Sequence, residues 1–269
     1  MPHTSSRPAL HYTVTGAGPP LVLAHALGCD AGMWDGIIGP LSEGHTVVRY
    51  DGRCHGQSDT VAEPFAIADL VADLIRLLDD LRWPSASLVG LSMGGMVAMG
   101  LAIARPERVR RLVLANTTSC YPEAARRMWE ERIRLAREEG MGAVAEAASE
   151  RLFSPAFAAA SPHVVTRYRD QLLQTDARAY AECCAAVAQV NFDSALTRVA
   201  APTLVIAGGA DVAAPVSMAA ALAAGIPGAR LEVLEEAGHL SAVERPAEFA
   251  ALVLAFLEET SAPFSPPDV

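Results

Sequence analysis

Residues 87–95 read Ser87-Leu88-Val89-Gly90-Leu91-Ser92-Met93-Gly94-Gly95. The first five form an apolar run of strand type. The run from Gly94 to Arg105 has helical character and stops before Pro106. Between them lies a G-x-S-x-G pentapeptide. Alone, such a pentapeptide recurs by chance. At a strand-to-helix junction it has a physical meaning, because a sharp turn there lifts the serine oxygen above the sheet. Glycines on either side allow backbone contacts that a side chain would block. The helix that follows directs its amides and the positive end of its dipole at the serine. The competing reading is a plain helix N-cap serine.

Outward from this junction the first half of the chain alternates strands and helices. Leu10–Thr15, Leu21–Ala24, Thr46–Tyr50 and Val109–Ala115 read as strands. A weak helix is expected from about Trp34 to Ser42. Leu70, Leu74, Leu77, Leu78 and Leu81 recur at helical spacing within Ile67–Leu81. From Thr117 to about Asp193 the texture becomes helical, rich in Ala, Arg and Glu, with no convincing strand. The alternation then resumes with strand Pro202–Gly208, helix Val216–Ala224, strand Leu231–Leu234 and helix Glu248–Glu258. This predicts the α/β class: a mostly parallel sheet with helices on both faces. Residues 1–116 and 194–260 form the core, 117–193 a helical lid over the carboxyl ends of the strands, and 261–269 a flexible tail.

A serine hydroxyl needs a base in reach. His239, in Glu236-Ala237-Gly238-His239-Leu240, follows the last strand. Asp211, in Ala207-Gly208-Gly209-Ala210-Asp211, follows strand Pro202–Gly208. The order Ser92, Asp211, His239 is the one that accompanies a G-x-S-x-G elbow. Asp51 also follows a strand but precedes Ser92, which breaks that order. A turn or N-cap role is the alternative for Asp211, and a loop histidine held by backbone the alternative for His239. The developing oxyanion needs donors. The expected pair is the Met93 amide and the Leu27 amide in His25-Ala26-Leu27-Gly28. His25 is expected to hold this oxyanion loop by a side-chain hydrogen bond, and His55 to hold its own loop, Asp51–Asp59.

With these motifs in place, the chain resembles the α/β-hydrolase superfamily over nearly its whole length. A narrower resemblance, to 3-oxoadipate enol-lactonases, rests on several runs. They are Met33-Trp34-Asp35, Val48–Asp51, Gly56-Gln57-Ser58, Gly90–Gly95, Arg111–Thr117, Ser154–Ala158, Tyr180–Val187, His239-Leu240-Ser241 and Val243-Glu244. Three positions depart from those lactonases. The oxyanion loop reads HALG in place of a polar S-N-S-L-G, Cys54 stands where glycine is usual, and Leu152 where an aromatic is usual. The resemblance implies an α/β-hydrolase fold and hydrolysis of a small carboxylate-bearing enol-lactone in aromatic catabolism. It also aligns Trp129 and Arg132, which share a helix face, with a lid Trp and Arg of the lactonases. An arginine fork suits a substrate carboxylate. Lid packing and a solvated arginine are the alternative. Other open functions are a general carboxylesterase, a cofactor-free perhydrolase of the haloperoxidase type, and a ligand-binding receptor on the same fold.

Composition narrows the classes further. The 269 residues carry a formal charge of −10. That acidic balance disfavours nucleic acid, where a basic patch supplies most of the affinity. All 21 basic residues are arginine, so Schiff-base and P-loop lysine chemistry is excluded. The five cysteines show no C-x-x-C spacing. Neither a disulfide framework nor a zinc site is expected, and the usage fits a reducing cytosol. No signal peptide and no membrane span are expected. The chemistry calls for no metal and no cofactor. Oligomeric state is not fixed by these features.

Overall fold

Successive side chains of each strand point to opposite faces of the sheet, and both faces are covered. The computed structural model describes residues 2–61 and 63–259, so the expected tail at 261–269 lies outside the described residues. The strands are β1 (Tyr12–Thr15), β2 (Pro20–Ala24), β3 (Thr46–Tyr50), β4 (Ala86–Leu91), β5 (Val109–Ala115), β6 (Thr203–Gly208) and β7 (Arg230–Leu234). They form one seven-stranded sheet in the order β1-β3-β2-β4-β5-β6-β7. Only β1, at the edge, runs antiparallel, paired with β3. The other pairings are parallel. The strand at the amino end begins at Tyr12, two residues later than its apolar pattern suggests.

On one face, Val22, Val48, Leu88, Leu112, Leu114 and Val205 join a core. It includes α2 (Ile67–Asp80) and α3 (Met93–Ala104). On the other, Leu21, Leu23, Val47, Val89, Val113 and Ile206 meet Trp34, Ile37, Leu41 and Phe249. These last four come from a 3-10 turn at Ala31–Trp34, α1 (Asp35–Gly44) and α11 (Pro246–Glu258). Parallel strands buried on both faces read as continuous apolar runs, as β4 and β6 do. The α1 helix extends two residues beyond the expected Ser42 and accommodates Pro40.

Between β5 and β6 the chain forms α4 (Glu123–Glu139), α5 (Met141–Glu150), α6 (Pro155–Ala160), α7 (Pro162–Leu173) and α8 (Ala177–Ala188). Here α4 packs on α8, and α5 on α7. The only pairing of β type in this stretch is a single bridge, Cys120 to Asn191. After β6 come α9 (Val216–Gly225), β7, the one-turn α10 (Ser241–Glu244) and α11. The α10 turn has too few residues for a periodic signal, so the sequence pattern passes over it. No helix among the described residues is long and apolar enough to cross a membrane. Parallel strands place the ends of β2, β4, β6 and β7 at one edge, where a site is expected.

Candidate active site

At the junction of β4 and α3, Ser92 has φ 55° and ψ −117°. This left-handed φ costs a non-glycine residue roughly 1–3 kcal/mol and persists only where neighbours enforce it. The enforcement is visible. The Ser92 amide donates to the Ala115 carbonyl at 2.9 Å, and the Thr117 hydroxyl donates to the Ser92 carbonyl at 2.8 Å. A Cβ on Gly94 would overlap the Ala24 carbonyl, and one on Gly90 the Gly94 carbonyl. Ser92 occupies the N-cap position of α3, but its side chain makes no capping bond. Its hydroxyl lies 2.9 Å from His239 Nε2 instead.

His239 follows β7 and is buried. Its Nδ1 lies 2.8 Å from Asp211 Oδ2. The donor–acceptor pattern assigns Nδ1 as protonated and Nε2 as the acceptor of the serine hydroxyl. The loop after β6 fixes Asp211. Its Oδ1 accepts from the Ala213 and Ala214 amides at 2.7 and 2.9 Å. The turn role considered for this aspartate is therefore real, and it coexists with the histidine contact. Asn116 Nδ2 donates to Asp211 Oδ2 at 2.9 Å and to the Gly238 carbonyl at 3.2 Å. The Ser241 hydroxyl donates to Asn116 Oδ1 at 2.5 Å. Burial pushes the Asp211 carboxyl up, but the facing His239 and the hydrogen bonds from His239, the Ala214 amide and Asn116 outweigh it. The net result lies below the usual carboxylate range. Asp51, the other aspartate behind a strand, sits elsewhere. It accepts from His11 Nδ1 at 2.9 Å and from the Ala31 and Gln57 amides at 2.8 and 2.9 Å.

Leu27 lines the same cavity as Ser92 and His239. Met93 is the first residue of α3, where amides lack intrahelical acceptors. The two histidines of the neighbouring loops hold each other's loops as well as their own. His25 Nδ1 donates to the Ala26 carbonyl at 2.8 Å, and its Nε2 accepts from the Gly52 amide at 2.8 Å. His55 Nδ1 donates to the Arg53 carbonyl at 2.9 Å, and its Nε2 accepts from the Gly28 amide at 3.0 Å. This crossed pairing requires both rings to be neutral. Burial lowers the pKa of His25, and burial, together with the adjoining His25 ring, lowers that of His55 to about 3.

The opposite wall comes from the helices between β5 and β6. Trp129, Arg132, Arg151, Leu152, Leu172 and Tyr180 face Ser92 across the cavity. The Arg132 guanidinium lies 4.9 Å from the Trp129 ring centre. Most other arginines of α4 are ion-paired at its surface: Arg126 with Glu123, Arg134 with Glu131 and Glu138, Arg137 with Glu182. Among the described residues neither Arg132 nor Arg151 forms such a pair. Arg151 donates to the Val212 carbonyl at 3.1 Å, and burial and the nearby Arg132 lower its pKa. Trp129 Nε1 is buried without an acceptor.

Sequence reasoning passed over four residues of this site: Asn116, Ser241, Glu244 and Arg151. The first three stand inside runs that carry the family resemblance, so the signal was present without a role attached. Glu244 accepts from the Ser154 amide and hydroxyl at 3.0 and 2.6 Å and from the Gly238 amide at 3.0 Å. It thereby fastens the start of α6 to the His239 loop.

The site thus combines a hydroxyl, an imidazole and a carboxylate in line, with cations across a small cavity. A model of the alpha/beta hydrolase family matches residues 21–252. The chain is 38% identical over 257 residues to 3-oxoadipate enol-lactonase 2 of Acinetobacter baylyi, covering 95% of each. The crystal structure of the enol-lactonase from Burkholderia xenovorans LB400 superposes with a TM-score of 0.92 at 35% identity, covering 96% of this chain and 100% of that one. A malate-bound thermophilic esterase from Thermogutta terrifontis gives a TM-score of 0.88 at 27% identity, covering 94% and 96%.

Proposed function

Because the chain belongs to the alpha/beta hydrolase family, and is a hydrolase, we propose that it cleaves a small carboxylate-bearing ester or lactone through an acyl-enzyme on Ser92. The observation that carries this reading is the unbroken line Ser92–His239–Asp211, at 2.9 and 2.8 Å. His239 Nε2 takes the serine proton as Oγ attacks the carbonyl carbon. Asp211 holds the Nδ1 tautomer and stabilises the imidazolium. The Leu27 and Met93 amides receive the oxyanion; each such donor is worth about 10²–10³ in rate. The imidazolium then protonates the departing oxygen. In an enol-lactone that oxygen stays tethered to the acyl group as an enol, which tautomerises to a ketone. His239 next deprotonates a water, which attacks the acyl-enzyme. The free acid leaves and Ser92 recovers its proton.

The enol-lactone assignment is supported by the two enol-lactonase relatives and by the cations of the cavity. Arg132 and Arg151 offer forks to a substrate carboxylate, and the buried Trp129 Nε1 offers a further donor. The cavity volume is 40 Å³, far below the roughly 300–1,000 Å³ of ordinary ligand pockets. Residues 117–193 therefore act in this reading as a lid that moves to admit substrate. The apolar Leu27, Leu152 and Leu172 favour a second reading, a carboxylesterase for neutral esters on the same three residues.

Two measurements test these readings. Ser92→Ala is expected to lose at least 10³-fold in kcat on a p-nitrophenyl ester, with melting unchanged within a few degrees. Full turnover by that variant would overturn the mechanism. Arg132→Ala and Arg151→Ala are expected to raise KM at least tenfold for a carboxylate-bearing lactone, 3-oxoadipate enol-lactone included, and to spare neutral esters. Equal losses on both substrate types would remove carboxylate recognition and leave the carboxylesterase.

A further inference from the structure

We propose that Cys54 and Cys183 form an oxidative modification site, in which a peroxide converts the two thiols to a disulfide that ties α8 to the loop of residues 51–58 and lowers turnover. All five cysteines are free in the structure. Two of them, one from each side of the boundary between the sheet and the helices α4–α8, share a small cluster of their own. Cys54, Cys183 and Ala179 are its buried members, with Leu27, Val61 and Phe65 packed around them. The Cys54 thiol donates to the Val61 carbonyl at 3.4 Å.

The two sulfurs have unequal surroundings. Cys54 has a left-handed φ of 67°, an angle that glycine adopts more easily, so its side chain is held there against local preference. Its sulfur accepts from the Val61 amide at 3.3 Å. The adjacent Cys183, that amide and the charge of Arg53 draw its pKa down, against the opposing effect of burial. The neighbouring Cys54 and burial raise that of Cys183. A thiolate is the form that reacts. Cys54 also lines a polar cavity of 370 Å³, together with Asp30, His55, Gln57, Thr60 and Gln174. This cavity is distinct from the one that holds Ser92, and it gives a small oxidant a route to the sulfur.

The chemistry balances with hydrogen peroxide as the named oxidant. The Cys54 thiolate attacks one peroxide oxygen and the O–O bond breaks. The products are a sulfenic acid and hydroxide, which takes up a proton as water. Cys183 sulfur then attacks the sulfenic sulfur. Its proton leaves with the displaced hydroxide as a second water, and the S–S bond forms. Two thiols are oxidised and one peroxide is reduced to two waters.

The consequence for turnover follows from Leu27 and Gly28. The Leu27 side chain packs on this cluster, and the Gly28 amide is held by His55, the residue after Cys54. A covalent tie redraws the packing under the proposed oxyanion donor and pins the helices that must move to admit substrate. That effect on turnover rests on the reading of Ser92 above; the formation of the bond does not.

The test treats the full chain with hydrogen peroxide, blocks the remaining thiols, digests without reductant and reads peptide masses. A Cys54–Cys183 linked pair, lighter by two hydrogens, is expected. Turnover of a p-nitrophenyl ester should fall at least threefold and return with dithiothreitol. Cys183→Ala and Cys54→Gly should each keep the reduced enzyme's turnover within about twofold, form no link and lose the sensitivity to peroxide. The proposal is overturned if peroxide yields a Cys183–Cys184 bridge or a sulfinic acid on Cys54 in place of the link. It is also overturned if the link forms without loss of turnover, or if inhibition persists in both variants. The link is read by mass alone, so an enzyme inactive on esters would overturn the Ser92 reading and leave this bond open to detection.

Discussion

Asn116 is the first residue after β5, where the chain departs toward the helices, and its φ of 47° is left-handed. Asparagine tolerates that angle better than most residues. Its amide group spans two loops, donating to Asp211 and to the Gly238 carbonyl while accepting from Ser241. Asp211 uses all its acceptor capacity at this point: two amides on one oxygen, Asn116 and His239 on the other. Replacing Asn116 by alanine leaves the Ser241 hydroxyl unpaired and removes one of the bonds that lower the Asp211 pKa. Such a loss costs about 1–3 kcal/mol. The expected outcome for Asn116→Ala is a melting temperature lower by several degrees and a kcat lower by about tenfold, with KM little changed, in thermal melts and steady-state assays. An unaltered kcat would show that the two backbone amides alone hold Asp211 in place.

At the scale of elements, the site depends on how the loops after β4, β6 and β7 are joined to α6. Glu244, on the one-turn α10, makes that joint through three hydrogen bonds to Ser154 and Gly238. Glu244→Ala would strand two buried amides, so a loss of about 2–4 kcal/mol in denaturant unfolding is expected, with a fall in kcat because Gly238 precedes His239. Glu244→Gln keeps one acceptor and should lose less. Retention of wild-type stability by Glu244→Ala would mean that the stacking of Phe157, on α6, against Phe153, ring centres 5.3 Å apart, seats α6 alone. This joint also shows where reading the sequence stops. The strands β3 and β5 were legible to the residue because apolar runs bounded by turn residues have one interpretation. So were the serine elbow and the order of Ser92, Asp211 and His239, because each follows a strand. The hydrogen bonds of Glu244 to Ser154, of Asn116 to Asp211 and Gly238, and of Ser241 to Asn116 join positions about 90–125 residues apart, and no local period encodes such a pairing. The crossing of His25 and His55 was hidden for the same reason. Each histidine reaches a loop 27 residues away.

At the scale of the whole molecule, the buried titratable groups set a common direction for acid sensitivity. His55 is held neutral in the fold, with its pKa lowered to about 3 chiefly by burial, against an ordinary histidine value near 6.5. His25 is lowered in the same direction and for the same first cause. The unfolded chain therefore binds protons at these two positions before the folded chain does. Stability is fully present above pH 6.5 and falls as pH drops below it. For His55 the fall continues toward pH 3 at about 1.4 kcal/mol per pH unit, and His25 adds to it. The carboxylates act in a lower window. Asp211 and Asp51 titrate below their ordinary 3.8 in the fold, so their contribution is present above that value and is lost beneath it. Burial opposes them, and their hydrogen bonds prevail. The two windows meet, and acid unfolding should begin near pH 6 and steepen below 4. Denaturant unfolding at pH 7.5, 6.5, 5.5 and 4.5 measures the slope. His55→Gln, whose side-chain oxygen can still accept the Gly28 amide, should flatten the slope by about one proton between pH 6 and 4. A wild-type stability that stays level from pH 7.5 to 4.5 would show that the crossed histidines accept protons within the fold. The neutral clamp on the oxyanion loop would then be lost as an account of how Leu27 is positioned.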